Sequence, residues 1–561
     1  MFEVVVPPAF IMIFGAILLG VARAGLRPVI ALATPLVTLY AIWQVPDGIQ
    51  MTAMFLGHEL QLVEGGALRR LFATVFALMA FGGALFALRQ ARWWEMSAAM
   101  AYAAGAIGVS FAGDLIVMFV FWEFMALFST VVVWCGGTVG ARRAGIRYAI
   151  VHLVGGIVLK IGIEGLMIHT GSVEIRALDL GGFDTWMIFM GVLVNAAAPP
   201  ISAWLADAYP ESSPGGGVFL SAFTTKTAVL ALILLFPGTE LLIWIGLWMV
   251  FYGIIYALLE NDMRRILSYS IVNQVGFMLV GIGIGTEMAI NGSAAHAFTH
   301  IIYKALLFMS AGAVLFQTGK RNCSELGGLY HSMPLTTICG IIGALSISAF
   351  PFTSGFISKA MISAGAVGEH MALVYFLLVA ASAGVFLHAG IKYPWFVFFQ
   401  KDSGLRPADP PLNMRLAMVL FAALCIVIGV FPGLLYNLLP YPVEYVPYTA
   451  DHVLTQFQLL LFAGLAFFLL LPLMQRTRTV TLDFDWLWRV GLRRVANAVL
   501  ALLSAGAALL AHARDAGGPW LAARFGRHFG AGGTFARSWP IGTTALWLAV
   551  LLSAYVLIHY L

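Results

Sequence analysis

Two lysines stand in otherwise apolar runs, each closing a similar six-residue stretch: SAFTTK at Lys226 and SGFISK at Lys359. An ammonium at mid-bilayer costs at least ~2.5–3.5 kcal/mol, so a chain that places two in matching frames is expected to use both, and the repetition suggests a duplicated ion path. Glu123 in FVFWEFMAL and Lys304 in HIIYKALLF add an acid and a third base within apolar segments. Two unit charges ~4 Å apart interact by about 4 kcal/mol at an effective dielectric near 20, enough to move a proton equilibrium by about three decades. A Glu123/Lys226 pair that opens and closes is therefore expected to act as a proton switch, passing the proton towards Lys304 when the acid swings away. Lysine suits this role because burial brings it within reach of neutrality, whereas arginine stays charged.

Histidines extend the set. His300 lies one helical turn before Lys304 and His296 one turn earlier, on a face where a neutral imidazole relays protons through water or hydrogen-bonds a neighbouring helix. Lys160 and Glu164 sit one turn apart, at a spacing that suits a local salt bridge or an entry path near Glu123, with His152 two turns above Lys160. Asp114 opens its helix and reads first as an N-cap. With His296, Lys160 and Glu164, Asp114 and Lys392 complete the secondary proton-path candidates.

Positioning these groups requires a membrane. Of 561 residues, 61% are hydrophobic and 10% charged, against roughly 25% charged in a soluble domain. The net charge of +5 comes mostly from arginines between apolar runs and gives no support for nucleic-acid binding. Cys135, Cys323, Cys339 and Cys425 have no metal-ligating spacing, so no metal or cofactor site is expected and any redox centre would belong to a partner. The acidic N-terminus reads as a retained first helix.

Apolar segments long enough to cross ~30 Å of hydrocarbon fall near 4–22, 28–45, 70–89, 95–112, 115–134, 147–169, 186–206, 216–236, 241–259, 266–284, 292–316, 335–350, 353–367, 372–398, 414–431 and 454–474. Further apolar runs at 496–512 and 541–560 follow a stretch containing Trp486, Trp488, Arg489, Arg493 and Arg494, a composition suited to headgroup depth. Arginines at 23, 27, 89, 92, 142, 143 and 147 alternate with the loop 46–66, which has no Lys or Arg, so the N-terminus is expected outside; Arg69 and Arg70 fit less well. The ENDMRR run, with Asp262, Arg264 and Arg265, reads as a cytoplasmic loop. Between Ala196 and Lys226, and between Ser346 and Lys359, Pro, Gly, Ser and Thr are too frequent for an uninterrupted lipid-facing helix, and paired breaks point to a transport site. A weaker echo, VFWEFMALF around Glu123 against IIYKALLFM around Lys304, also suggests duplication.

The stretches GDLIVMFVFWEFMAL, WLADAYPESSPGGGVFLSAFTTK, ENDMRRILSYSIVNQVGFMLVGIG, HAFTHIIYKALLFMSAGAVL and FPFTSGFISKAMI resemble, in consistent order over about residues 70–400, the antiporter-like subunits shared by Mrp-type cation/proton antiporters and respiratory complex I, with the nearest likeness to the D-type member of the multisubunit Mrp sodium/proton antiporters. The resemblance implies an all-α polytopic membrane protein of about 14 core helices with two inverted five-helix repeats and discontinuous helices. It makes Glu123 the acid of the fifth helix, Lys226 its partner on a broken seventh, Lys304 the central-axis lysine, His300 the accompanying histidine and Lys359 the exit-side lysine on a broken twelfth. PPISAWLADAY departs from the family's usual run at this break, lacking its histidine and second proline.

The expected organisation is N-terminal helices over 1–94, a first repeat over 95–260, a second over 261–400, core helices over 401–474 and an appended tail of about two helices over 475–561. Three functions are consistent with these residues: a proton-translocating subunit exchanging Na+ or K+ for protons, a proton-pumping subunit of a redox-driven complex, and a silent scaffold disfavoured by four intramembrane charges. The first two require other membrane subunits as partners, and the expected location is a bacterial inner membrane.

Overall fold

In hydrocarbon, backbone N–H and C=O groups have no partners but one another, so a chain this apolar folds into helices. A computed structural model describes residues 6–55, 57–473, 482–536 and 540–560. Its first elements are α1 (Pro8–Val21), α2 (Arg27–Ile42), β1 (Gly48–Phe55), β2 (His58–Gly65), α3 (Ala67–Ala87), α4 (Trp93–Phe111), α5 (Leu115–Trp134) and α6 (Val139–Thr170). Then come α7 (Phe183–Asn195), α8 (Ala203–Ala208), α9 (Pro214–Leu220), α10 (Thr224–Leu235), α11 (Leu241–Leu259), α12 (Met263–Ile284) and α13 (Glu287–Thr318). The remainder is α14 (Pro334–Ile347), α15 (Ser354–Gly368), α16 (Ala372–Val385) with π-helical turns over Phe386–Lys392, α17 (Leu412–Val430), α18 (Gly433–Tyr436), α19 (Ala450–Leu469), α20 (Arg493–Phe529) and α21 (Ile541–Tyr560). Twelve helices among the described residues are long and apolar enough to cross a membrane. The protein is an all-α polytopic membrane protein.

The segment over 46–66 is not a plain loop: β1 and β2 pair as an antiparallel hairpin. The two strands turn at Gly57 (φ 83°), a left-handed position that glycine adopts without strain. The hairpin explains Arg69 and Arg70. Arg69 is buried against Glu64 and the carbonyl of Ala112, and Arg70 pairs with Asp47 at 2.7 Å, so neither charge is free to orient the chain.

Two passes of the chain repeat one design. Asp114 caps α5 by accepting from Val117 N (2.8 Å) and forms an isolated bridge with Glu174, just past the left-handed Gly171 (φ 69°) that ends α6. Asp262 caps α12 by accepting from Arg264 N (2.8 Å) and bridges Asn322, just past Gly319 (φ 67°) at the end of α13. Each bridge spans 60 residues and encloses a 32-residue helix. Helix α4, of 19 residues and roughly 28 Å long, gives their sense. Its start carries Glu95, bound by Ser213, whose carbonyl accepts from Arg264 (3.0 Å); its end meets Arg69, and Gly113 N donates to Gln61 O (3.0 Å) in the hairpin. Asp114 and Asp262 thus lie at opposite ends of α4, the hairpin face and the arginine face, and the second pass is inverted.

The breaks repeat as well. After α7, Ala196, Ala197 and Ala198 donate to Val192, Val194 and Leu193; after α14, Ser348, Ala349 and Phe350 donate to Ala344, Ser346 and Leu345 in the same pattern. Ala197 (φ 58°) and Ala349 (φ 56°) are both left-handed. This register corrects two readings. Lys226 follows Ala197 by 29 residues and Lys359 follows Ala349 by ten, so SAFTTK and SGFISK are not equivalent sites. Nor does Glu123 match Lys304: α5 corresponds to α12, and the counterpart of Lys304 is Gly156, whereas His152 and His300 do correspond, each 38 residues past its capping aspartate. Short six-residue likenesses lack the backbone hydrogen bonds that define a repeat.

The chain divides into two compact units, Met1–Asp485 and Trp486–Leu561. Within the second, α20 is one 37-residue helix containing Pro519, far longer than the apolar run at 496–512 that marked it; residues 475–481 of the expected tail lie outside the described ones. A left-handed backbone costs roughly 1–2 kcal/mol for a residue with a Cβ and more for a β-branched one. Ala349→Val is therefore expected to lower the thermal midpoint of the purified protein in detergent, with a loss of about 2 kcal/mol, while Ala349→Gly leaves it unchanged or higher.

Candidate functional site

Lys226, Lys304 and Lys359 are buried, and each ammonium is anchored on an uncharged oxygen. Lys226 Nζ donates to Ser221 O (2.6 Å), a carbonyl at the kink between α9 and α10. Lys304 Nζ donates to Ser270 Oγ on α12 (2.8 Å). Lys359 Nζ donates to Ile347 O (2.7 Å), the last residue of α14, and lies 4.9 Å from the ring centre of Phe277. Lys304 lies within electrostatic reach of both Lys226 and Lys359, so the structure brings together bases from α10, α13 and α15.

His296 and His300 lie in this row. His296 Nδ1 contacts Ser358 Oγ (3.0 Å) beside Lys359, and Nε2 contacts Gln274 Oε1 (3.1 Å), which also accepts from Tyr303 (3.1 Å). Both nitrogens are satisfied, which is the structural role the sequence allowed. His300 differs: it is fully buried, and neither nitrogen has a protein partner. A buried imidazole without protein partners is costly unless water supplies them.

Glu123 stands in the first half. Its Oε1 is buried without a partner, and its carboxyl abuts Gly156 of α6, where any Cβ would collide with it. Glu123 and Lys226 are not joined, since Lys226 is held by Ser221. Nor does Lys226 lie on the discontinuous helix of the first pass, as the resemblance implied. The last residue of α7 is Asn195, whose Oδ1 meets His152 Nδ1 at 2.7 Å, leaving His152 Nε2 and Asn195 Nδ2 buried and unpartnered. His152 is one turn from Gly156 and packs on Tyr148 and Trp204, with ring centres at 4.1 and 4.6 Å. Tyr148 OH reaches Ser129 Oγ (3.0 Å) and Thr224 Oγ1 (3.4 Å), and Thr224 meets Tyr102 OH (2.6 Å) two residues before Lys226. Polar side chains thus extend from beside Glu123 to Lys226. Asn195, Thr224 and Tyr102 were missed because single uncharged polar residues carry no distinguishing spacing.

The remaining candidates have local tasks in this structure. Lys160 and Glu164 pair with each other on the exposed side of α6. Asp114 caps α5 and also accepts from Gln61 N (2.6 Å) in the hairpin. Lys392 donates to the carbonyls of Ala257 (3.0 Å), Leu258 (2.5 Å) and Glu260 (2.6 Å), satisfying the end of α11. Among the described residues no group of three or more His, Cys, Asp or Glu is arranged to hold a metal ion.

A profile of the family described as NADH:quinone oxidoreductase/Mrp antiporter, TM, matches residues 112–386, a span that contains Glu123, Lys226, Lys304 and Lys359. The D-type subunit of the Na(+)/H(+) antiporter of Alkalihalophilus pseudofirmus is 30% identical over 347 residues, covering 58% of this chain and 70% of that protein. The chain belongs to this antiporter-like family. A second member, the A/B-type subunit of a probable K(+)/H(+) antiporter of Rhizobium meliloti, is 28% identical over 359 residues, 60% of this chain but only 36% of that longer protein. The antiporter-like fold also recurs in the solved structure of the membrane-bound sulfane sulfur reductase, an archaeal respiratory membrane complex, with a TM-score of 0.72 at 21% identity over 98% of this chain and 99% of that one.

In this antiporter-like chain the ENDMRR run is not a free loop. Arg264 is almost fully buried and donates to Pro210 O (2.9 Å), Ser212 O (2.7 Å) and Ser213 O (3.0 Å), holding the turn that leads into α9 and α10. Arg321 secures the same turn through Glu211 and Asp262, both at 2.8 Å. Arg264→Ala leaves several buried carbonyls without donors, so a loss of about 2–4 kcal/mol is expected, read as a lowered thermal midpoint and reduced accumulation of folded protein in membranes.

Proposed function

We propose that this chain is the proton-translocating subunit of a multisubunit monovalent cation/proton antiporter, seated in a bacterial inner membrane with its N-terminus on the periplasmic side. The observation that carries the reading is the row of buried bases Lys226, His300, Lys304 and Lys359, whose ammonium groups rest on neutral oxygens and whose central imidazole requires water. Buried groups that lack fixed counter-charges can change protonation state without breaking an ion pair, which is what a relay requires. Glu123 acts as the gate. When its carboxylate approaches the Lys226 side it favours the ammonium; when it stays beside Gly156, as here, the proton on Lys226 is free to pass through water to His300 and Lys304. Lys359 then delivers it at the far end. Other membrane subunits carry or complete the cation path, since the antiporter relatives are named as subunits.

One observation favours a second reading, a proton pump driven by redox partners. The sulfane sulfur reductase chain shares the fold over 98% of this one, a share too large to omit the tail beyond Asp485. Purification with native partners separates the two: the antiporter reading requires proton flux driven by Na+ or K+ gradients alone, the other an electron donor. In everted vesicles, Lys226→Ala, Lys304→Ala and Glu123→Ala are each expected to reduce cation-driven proton movement about a hundredfold in fluorescence-quench assays, with the complex still assembled. Wild-type flux in the assembled Lys226→Ala complex would falsify the relay.

A further inference from the structure

Two adjacent glycines of α6, Gly155 and Gly156, let the first pass close around one point. A Cβ at Gly155 would strike Val194 of α7, and one at Gly156 would strike the carboxyl of Glu123 on α5. The end of α7 and the side chain of Glu123 therefore meet neighbouring faces of a single turn. His152 stands one turn earlier on α6, ~5.4 Å along the axis, and is 1% exposed.

Buried polar atoms without protein partners collect here. Glu123 Oε1, His152 Nε2 and Asn195 Nδ2 are among them, and so are Trp122 Nε1, next to Glu123, and Ser202 Oγ, two residues before the Trp204 ring on which His152 packs. Such a concentration of unsatisfied donors and acceptors is costly unless water reaches them. The corresponding break in the second pass is served by a lysine, Lys359 on Ile347 O. Residues 195–202 contain no lysine, and the side chain bonded at the end of α7 is an imidazole.

His152 Nδ1 lies 2.7 Å from Asn195 Oδ1, an acceptor, so Nδ1 carries the hydrogen of the neutral ring and Nε2 keeps a lone pair. An amide partner, unlike a carboxylate, does not fix the charge of the ring. On its other side the ring meets Tyr148, whose hydroxyl lies 3.4 Å from Thr224 Oγ1, two residues before Lys226. His152 is also the first-pass counterpart of His300, which lies within electrostatic reach of Lys226 and Lys304.

Resting on the relay proposed above, we infer that His152 carries protons between Glu123 and Lys226, the two groups that the structure leaves unjoined. The Glu123 O–H bond breaks and the proton moves through water to His152 Nε2, leaving a carboxylate and an imidazolium still held by Asn195. The imidazolium Nε2–H bond then breaks, and the proton passes through water beside the Tyr148 and Thr224 hydroxyls to the neutral amine of Lys226, which becomes the ammonium. Glu123 takes its next proton from water. No other reactant is consumed.

Two variants test this step in everted vesicles, with cation-driven proton flux read per assembled complex. His152→Gln keeps an amide within reach of Asn195 and removes the titrating ring; flux is expected to fall about tenfold, less than for Lys226→Ala because water substitutes in part, with the parent's thermal midpoint. Undiminished flux in the assembled His152→Gln complex overturns the proposal. Where that variant does not assemble, Asn195→Asp decides the matter. Its side chain has the same size and still accepts from Nδ1, but the carboxylate holds the imidazolium and traps the proton, so flux is expected to fall about tenfold. A bond that is merely structural survives this exchange, and unchanged flux in Asn195→Asp removes His152 from the path. The relay itself is read separately: flux surviving in Lys226→Ala refutes the relay, whereas flux lost there but intact in His152→Gln refutes the role of His152 alone.

Discussion

The interaction on which the site depends is the bond between a buried ammonium and a backbone carbonyl released where a helix stops. Each helix end leaves carbonyls without intrahelical partners, and at membrane depth those groups must be satisfied within the protein. Lys226 takes Ser221 O, Lys359 takes Ile347 O, and Lys392 takes three carbonyls at the end of α11. The same contact answers two costs at once, since the break supplies acceptors that a lysine in an apolar setting lacks. Breaks and lysines occur together because each stabilises the other.

Around those contacts the fold is fixed by caps and backbone turns. The capping aspartates Asp114 and Asp262, the left-handed Gly171 and Gly319, and the left-handed alanines at the two breaks recur in both passes, so one backbone plan is executed twice with opposite sense. The side chains built on that plan diverge. Where the second pass has Lys304 the first has Gly156, which gives Glu123 room; where α14 ends on Ile347 and offers a carbonyl, α7 ends on Asn195, tied to His152. The two halves therefore share geometry and differ in chemistry, with the acid in one and the densest set of bases in the other.

The sequence made the helices, the membrane and the buried charges plain, because hydropathy and charge are one-residue properties averaged over long windows. Glu123, Lys226, Lys304 and Lys359 stood out for that reason. It misassigned their relation. SAFTTK and SGFISK look alike as letters, yet the repeat is written in backbone hydrogen bonds around Ala197 and Ala349, residues with no compositional signal. Arg264 was read as a topological charge because a basic cluster beside an acidic one resembles a loop; only the fold reveals carbonyls of residues 210–213 waiting for it. Asn195 escaped notice because its importance lies in what stands opposite, on an element far away in the chain.

A carbonyl anchor and a carboxylate behave differently once the charge leaves. A salt bridge collapses when its lysine becomes an amine, and the freed acid must find another partner or move. The amine keeps two N–H groups, so Lys359 can stay hooked to Ile347 with or without its positive charge. Charge can come and go at that nitrogen while the polypeptide stays still, and only water needs to turn around.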